Sequence, residues 1–426
     1  MEQYTYFFLD TIWPFLRETA VLWVPAISLI LTWDWWVEYV NKAYLAKLKW
    51  VLLEIKIPRE VHKTPQAMEL VLNALYQMGG VGNPKAKFWD GKLLAWHSLE
   101  IVSIEGSVYF FIRLEQRFKD MIEAQIYAQY PQAEVQEVDD YTKYVPPYHP
   151  DNGWTYKGCQ MSLNSKKGDW LPIKTYVDYG LDAKGLMLDQ EQRIDPITPL
   201  IEFLGSLRKG EQFWFQIIIR GGSGRFGLDE DGKTQDWQKN GRIAIDKILN
   251  EYASTEIKEK DPDDPEKLKV IKKVGGYKNL PPHLKEQVDS AERNLTKYGF
   301  DFGMRALYIA EPGKGTGMRM PAEFTNAMKQ FNASNLNNFA MEKFTDDFDY
   351  PWQDWNDMRK IARRKKLFKM YVNRAWFYWP AGNESIKTLT TEELATVFHF
   401  PGSVSTTPTF ERIEARKAEP PANLPV

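Results

Sequence analysis

HSLEIVSIEGSVYFFIRL, residues 97–114, decides the fold class. Two β-rich runs, 97–104 and 107–114, flank Glu105-Gly106, a short turn signal of the kind that closes a hairpin. Downstream, 117–130 places Phe118, Met121, Ile122, Ile126 and Tyr127 at helical spacing, and 133–138 (AEVQEV) alternates like a returning strand. The order is β-β-α-β. Upstream, 50–58 reads as a strand and 60–77 as a helix, with Thr64-Pro65 near its start and Met68, Val71, Leu72 and Leu75 on one side.

A similar order recurs. Residues 156–163 and 173–179 read as strands, 199–207 as a short helix after Asp195-Pro196, and 213–219 (FWFQIII) as a strand buried on both faces. A strand at 304–310 and a helix at 322–331 suggest a third, partial copy. The expected class is α+β: an N-terminal membrane helix, then duplicated ferredoxin-like β-β-α-β units with a helical hairpin insertion, since consecutive two-layer units can share a sheet. The hairpin consists of helices at 236–253 and 282–297, around a charged stretch, 254–281, that reads as a mobile solvated tip. The expected segments are an anchor (1–49), a first α/β unit (50–145), a second (146–235) and the insertion (236–299). A partial third unit (300–340), an acidic/basic helical region (341–400) and a Pro-rich linker (401–426) follow.

Composition narrows the function classes. The 426 residues carry 55 Lys+Arg against 57 Asp+Glu, which excludes a broadly basic nucleic-acid coat, and 43% apolar residues exclude a disordered chain. One cysteine, Cys159, excludes a disulfide scaffold and any multi-Cys metal site, and suits a reducing compartment. Of sixteen Trp, six (13, 23, 33, 35, 36 and 50) fall within the first 50 residues.

That clustering surrounds an uncharged run, 19–33 (TAVLWVPAISLILTW), bounded by Glu18 and Asp34. As helix it spans about 22 Å, short of a ~30 Å hydrocarbon core; extension to Val40 reaches about 33 Å but includes Asp34 and Glu38. Trp33, Trp35 and Trp36 at one end, with Trp13 and Phe15 at the other, form the expected interfacial belts. Lys42, Lys47 and Lys49 then place the bulk of the chain in the cytoplasm by the positive-inside rule. A signal peptide would need a basic leader and a small-residue cleavage site, and Pro25 is costlier in a water-exposed helix than in a membrane helix. The anchor residues expected from this reading are Trp23, Ile27, Leu29, Trp33, Trp35 and Trp36.

Motif matches are weak. Residues 222–227 spell G-x-G-x-x-G, and 227–234 spell G-x-x-x-x-G-K-T, but Asp229, Glu230 and Asp231 would repel a phosphate there. Gly313-Lys314-Gly315-Thr316-Gly317 has the letters without the spacing. Five scattered His residues offer no metal-ligand spacing, so no cofactor, metal or catalytic residue is expected. The strongest local signal is basic: Arg359, Lys360, Arg363, Arg364, Lys365, Lys366, Lys369 and Arg374 lie within 359–374. They suit anionic lipid or a nucleic-acid backbone. Alternatively, the six acids of 342–357 pair with them and leave a near-neutral surface.

Several phrases are shared in kind with one family: WVLLEIKIPREV (50–61), PQAMELVLNAL (65–75), EAQIYAQYPQAEVQEVDDY (123–141), PLIEFLGSLRKGEQFWFQIIIR (199–220), MKQFNASNLNNF (328–339) and the 389–425 segment ending PPANLP. Together they resemble the membrane-anchored amino-terminal region of bacterial proteins related to conjugative type IV secretion DNA-transfer ATPases. In that family an α/β region precedes a hexameric RecA-like motor domain or is encoded as a separate chain. The resemblance implies partners: the lipid bilayer, a motor ATPase in trans or as a C-terminal domain beyond Val426, and further copies of the chain. DNA contact is left open. The expected function is a non-catalytic, single-pass scaffold or tether for a DNA-translocation motor at the cytoplasmic membrane. The alternative is a peripheral or soluble enzyme whose active site is assembled from residues distant in sequence.

Overall fold

The computed structural model describes residues 13–57, 63–76, 83–164, 166–182, 194–221, 236–252, 254–261, 264–275, 277–315, 319–346, 348, 350, 352–378, 381 and 386–401. The glycine-rich stretch 222–235, with both phosphate-loop patterns, and the Pro-rich segment 402–426 lie outside the described residues. Two compact units are present, one of residues 1–49 with 79–94, the other of 50–78 with 95–426.

In the smaller unit, helix α1 (Trp13–Lys47) runs on through Pro25. Its stretch Arg17–Lys47 is long and apolar enough to cross a membrane, and none of its apolar window is buried by protein. The tryptophans at its far end have two surroundings. Trp35 is 69% exposed, whereas Trp33 sets its ring against Phe88 at 5.5 Å and Trp89 at 6.0 Å. Trp36 Nε1 donates to the Phe88 carbonyl at 2.9 Å. The partner is a short helix, Pro84–Phe88, whose Ala86 N–H is capped by Asn83 Oδ1 at 2.9 Å. Gly91 (φ +64°) brings its backbone against Val40, where a Cβ would lie 2.2 Å from the carbonyl oxygen.

The larger unit is built on β1 (Trp50–Lys56), α2 (Pro65–Leu75), β2 (Trp96–Ile104), β3 (Ser107–Glu115), α3 (Lys119–Gln129), β4 (Glu134–Val138) and β5 (Thr155–Leu163). It continues with α4 (Thr198–Gly205), β6 (Glu211–Gly221), α5 (Trp237–Tyr252), β7 (Ser254–Asp261), β8 (Asp264–Gly275), α6 (Pro282–Leu295) and β9 (Gly299–Ala310). Then come β10 (Phe339–Glu342), α7 (Met358–Val372), β11 (Lys387–Thr390) and α8 (Thr391–Val397). Nine strands form one antiparallel sheet in the order β10-β5-β9-β6-β2-β3-β1-β4, with β11 pairing the start of β9. The hairpin expected at 97–114 is β2-β3, and Glu105 (φ 54°) and Gly106 (φ 90°) turn it with positive φ.

The sheet's centre is covered on both sides. Phe213, Phe215 and Ile217 of β6 face a core shared with Leu72 of α2, Leu204 of α4 and Leu394 of α8. Trp214, one residue out of phase, faces Leu367, Phe368 and Tyr371 of α7. Close approach on that second face needs Gly303, where a Cβ would stand 1.9 Å from the Trp376 ring.

Three expectations are corrected. Residues 173–179 are irregular chain leading into a turn at 176–179, not a strand: Thr175 N–H goes to Asp178 Oδ2 at 2.8 Å, and the N–H groups of Ile173 and Tyr176 go to side chains of Glu393 and Thr396. Lys174 N–H goes to the Phe331 carbonyl, and those of Asp178 and Tyr179 close local turns, so these donors are spent before a ladder could use them. Residues 254–275, read as a mobile solvated tip without strands, form the two-stranded ribbon β7-β8, with Glu256 opposite Lys273 and Glu259 opposite Lys269 in register. The expected 322–331 helix is broken into Phe324–Met328 and short single turns at Arg319–Glu323 and Lys329–Phe331.

Candidate functional site

The basic residues singled out by sequence lie on α7 and divide by face. Leu367, Phe368, Met370 and Tyr371 turn inward. Arg364 leans in with them and makes a two-pronged contact with Asp346 (2.8 and 2.7 Å from Nη2), also reaching the Tyr148 hydroxyl at 3.4 Å. Arg363 donates to the Phe344 carbonyl at 3.1 Å and lies 4.3 Å over the Phe348 ring. Lys360 pairs with Asp357 at 2.8 Å. Arg359, Lys365, Lys366 and Lys369 remain on the exposed side. The acidic block and the basic helix therefore pair in part, and an outward cationic stripe survives.

Beside that stripe is a cleft of about 330 Å³ lined by Gln160, Lys343, Thr345, Arg363, Lys366, Leu367 and Met370. Thr345 ties its floor to β5 through two bonds with Gly158, 3.0 and 3.1 Å long. At the start of α7, Asp354 accepts the Arg359 and Lys360 N–H groups at 2.7 and 2.8 Å. These bonds hold its carboxyl below the usual range, although desolvation pulls the other way.

Arg374, the last cation of the cluster, is fully buried. Its Nε and Nη2 donate to Glu100 at 3.0 and 3.2 Å, and Nη2 also reaches Asp140 at 3.0 Å. Glu100 further accepts from Ser98 at 2.6 Å, Tyr141 at 2.7 Å and Gln216 at 2.9 Å, and Tyr141 meets Tyr371 at 2.8 Å. Burial pushes Glu100 upward, but the Arg374 charge and these bonds outweigh it and hold the carboxyl below its ordinary value. Arg374 moves well upward because Glu100 outweighs its burial. The sequence signal for this pair was Glu100 itself, an acid at a core-facing position of a strand.

A second polar cluster joins α2, α6 and α8. Lys297 bonds Glu69 at 2.7 Å, Arg293 bonds Glu392 at 2.9 Å and Asp178 at 3.1 Å, and Tyr176 donates to Glu69 at 2.6 Å. Burial raises Glu392 and takes Glu393 to about 8. Glu393 caps α8 through Thr390 and accepts the Ile173 N–H at 3.0 Å, so its bonds are structural. His399 bonds Asp195 at 2.9 Å and the Ala395 carbonyl at 2.8 Å. Cys159 is buried, its thiol pushed up to about 12 by desolvation. Among the described residues, no three His, Cys, Asp or Glu side chains gather as metal ligands.

The expected anchor residues Trp23, Ile27, Leu29, Trp33, Trp35 and Trp36 all lie on α1, each at least 40% exposed. No protein-family model matches the chain, and no curated protein matches it in sequence.

Two outcomes follow from the buried groups. Arg374→Met strands the Glu100 charge and should cost about 3–5 kcal/mol in chemical denaturation, with Glu100→Gln in the same chain restoring part of the loss. His97 is buried in β2, and burial, then Arg117, lowers its pKa to about 4. Its contribution is therefore present above the unfolded value near 6.5 and lost as pH falls toward 4, by up to about 3 kcal/mol. Replacement of His97 by Leu should flatten that limb of the stability–pH curve relative to wild type. The comparison is differential because Glu393, raised to about 8, contributes stability that is lost as pH rises through that value.

Proposed function

We propose that the chain is a non-catalytic, single-pass membrane tether whose larger unit lies at the cytoplasmic face and assembles a translocation motor of type IV secretion kind. The observation that carries the anchor is the apolar window within Arg17–Lys47, none of which is buried by protein. Val21, Leu22, Leu29 and Ile30 are 61–79% exposed, an arrangement that costs free energy in water and none in hydrocarbon. Lys42, Lys47 and Lys49 at its C-terminal end support the cytoplasmic orientation.

The duplicated ferredoxin-like reading has support in the strand order. β1-α2-β2-β3-α3-β4 gives the sheet order 4-1-3-2 within its half. The set β5, β6, β9 and β10 gives the same permutation, with α4 after its first strand and the broken helix after its third. On this reading the second copy draws its last two strands from the region expected to be a partial third unit. The ribbon and its flanking helices are inserted between its second and third strands. The copies join through β2 and β6, paired from Trp96↔Arg220 to Ile104↔Gln212.

The motor rests on the sequence resemblance; the bonding of the pKa-raised acids Glu392 and Glu393 favours structural over catalytic use. Carbonate extraction tests the anchor. The full chain should stay in the membrane pellet until detergent is added, and Leu29→Arg with Ile30→Arg should release it. Release of the unaltered chain by carbonate alone would overturn the anchor. Affinity purification from a bacterial host that carries such a secretion system tests the motor: a hexameric ATPase should co-elute, and its absence under native conditions would remove that partner.

A further inference from the structure

We propose that a second membrane contact sits on the larger unit: an aromatic and cationic patch at the start and outer face of α7 that rests on anionic phospholipid headgroups. The inference deepens the tether reading and rests on it.

The patch begins with four large apolar side chains held in water. Trp352 is 76% exposed, Trp355 74%, Met358 63% and Tyr350 53%. They are not loose ends. The Asp354 carboxylate grips the first N–H groups of α7, and Asn356 and Asp357 turn the chain with φ of 52° and 56°, so the backbone presenting Trp355 and Met358 is fixed. Tyr350 stacks on Trp352 with centroids 4.7 Å apart and planes 9° from parallel. Fixed exposure of this size costs free energy unless an apolar or interfacial phase receives it.

The cations continue the patch. Met358, Ala362, Lys365 and Lys369 follow the spacing of one helix face, and Lys366 flanks it. Lys365 and Lys366 have no acidic partner among the described residues. Of the described acids in 346–357, Asp346 goes to Arg364, Asp357 to Lys360 and Asp354 to the helix start. Lys366 also lines the 330 Å³ cleft with Lys343 and Arg363.

Trp and Tyr partition to the membrane interface, and each lysine near an anionic leaflet raises occupancy roughly fivefold. A nucleic-acid strand would use the same cations with aromatic stacking. Two observations favour lipid. Tyr350 and Trp352 already stack on one another and leave no gap for a base between them. The chain is also anchored by α1, which joins the larger unit through Leu48 and Lys49, so a bilayer is held at high effective concentration.

The test places the full chain in nanodiscs of phosphatidylcholine, alone or with phosphatidylserine, and follows amide hydrogen exchange. Exchange across 352–369 should slow roughly tenfold in the anionic discs. Salt, or Lys365→Glu with Lys366→Glu, should remove the effect, and Trp352→Ser with Trp355→Ser should weaken it without removing its salt dependence. Both pairs are on the surface, and unchanged exchange in β2 and β6 certifies that they fold. Equal exchange in both discs overturns the proposal, as does protection that survives the lysine pair. Binding of fluorescent single-stranded DNA in neutral discs, lost in that pair and joined to equal exchange, overturns it in favour of nucleic acid. Co-elution with discs reports the anchor separately. If the chain does not co-elute, its sedimentation with anionic but not neutral vesicles still supports the patch, and no difference between them overturns it.

Discussion

Glu100 is a carboxylate in the middle of a nine-stranded sheet, fully buried, and the chain must neutralise it. An unpaired charge there would cost several kcal/mol. The guanidinium that answers it comes from Arg374, 274 residues later in the chain. That pairing fixes where α7 ends, and hence which of its faces packs on Trp214 and which stays in water. Arg374 adopts a positive φ of 49° to reach its place, a local strain that its bonds to Glu100 and Asp140 offset. The outward cationic stripe is thus a consequence of an inward ion pair.

The second dependence is geometric. Every residue of β9 is buried, and so is nearly every residue of β2 and β6, which means that helices must cover both faces. α2, α4 and α8 fill one side, α7 the other. Where the second side is tight, Gly303 yields its Cβ space to Trp376, and Arg305 lies 5.1 Å from that ring. The smaller unit uses different means: its tryptophans divide between packing on Phe88 and Trp89 and facing outward.

Much of this was legible in the residues. Two β-rich runs around the Glu105-Gly106 turn announced β2 and β3, and the FWFQIII run announced a strand with no wet face. Legibility failed where side chains outcompete the backbone's regular partners. IKTYVDY has strand propensity, but Glu393 and Thr396 take the N–H groups of Ile173 and Tyr176, and Asp178 takes that of Thr175. It failed again in 254–275, where charge density concealed a ribbon. At the candidate site the cations were visible, but charge alone does not say that Arg374 is buried or that Arg364 is paired. The acid at a core position of β2 was the one cue to the former.

What joins these parts into one account is the proposed single crossing of the bilayer by α1, a helix long and apolar enough to span it. The protein offers its own means of testing it, because its one cysteine is buried with a thiol pushed up to about 12 and gives a silent background. Single cysteines placed at Leu29 and at Asn41 can be probed with a membrane-impermeant maleimide in intact spheroplasts and again after permeabilisation. The account requires that Leu29→Cys stay unlabelled in both and that Asn41→Cys be labelled only once the membrane is opened. Labelling of Leu29→Cys in intact spheroplasts, or of Asn41→Cys from outside, would contradict it.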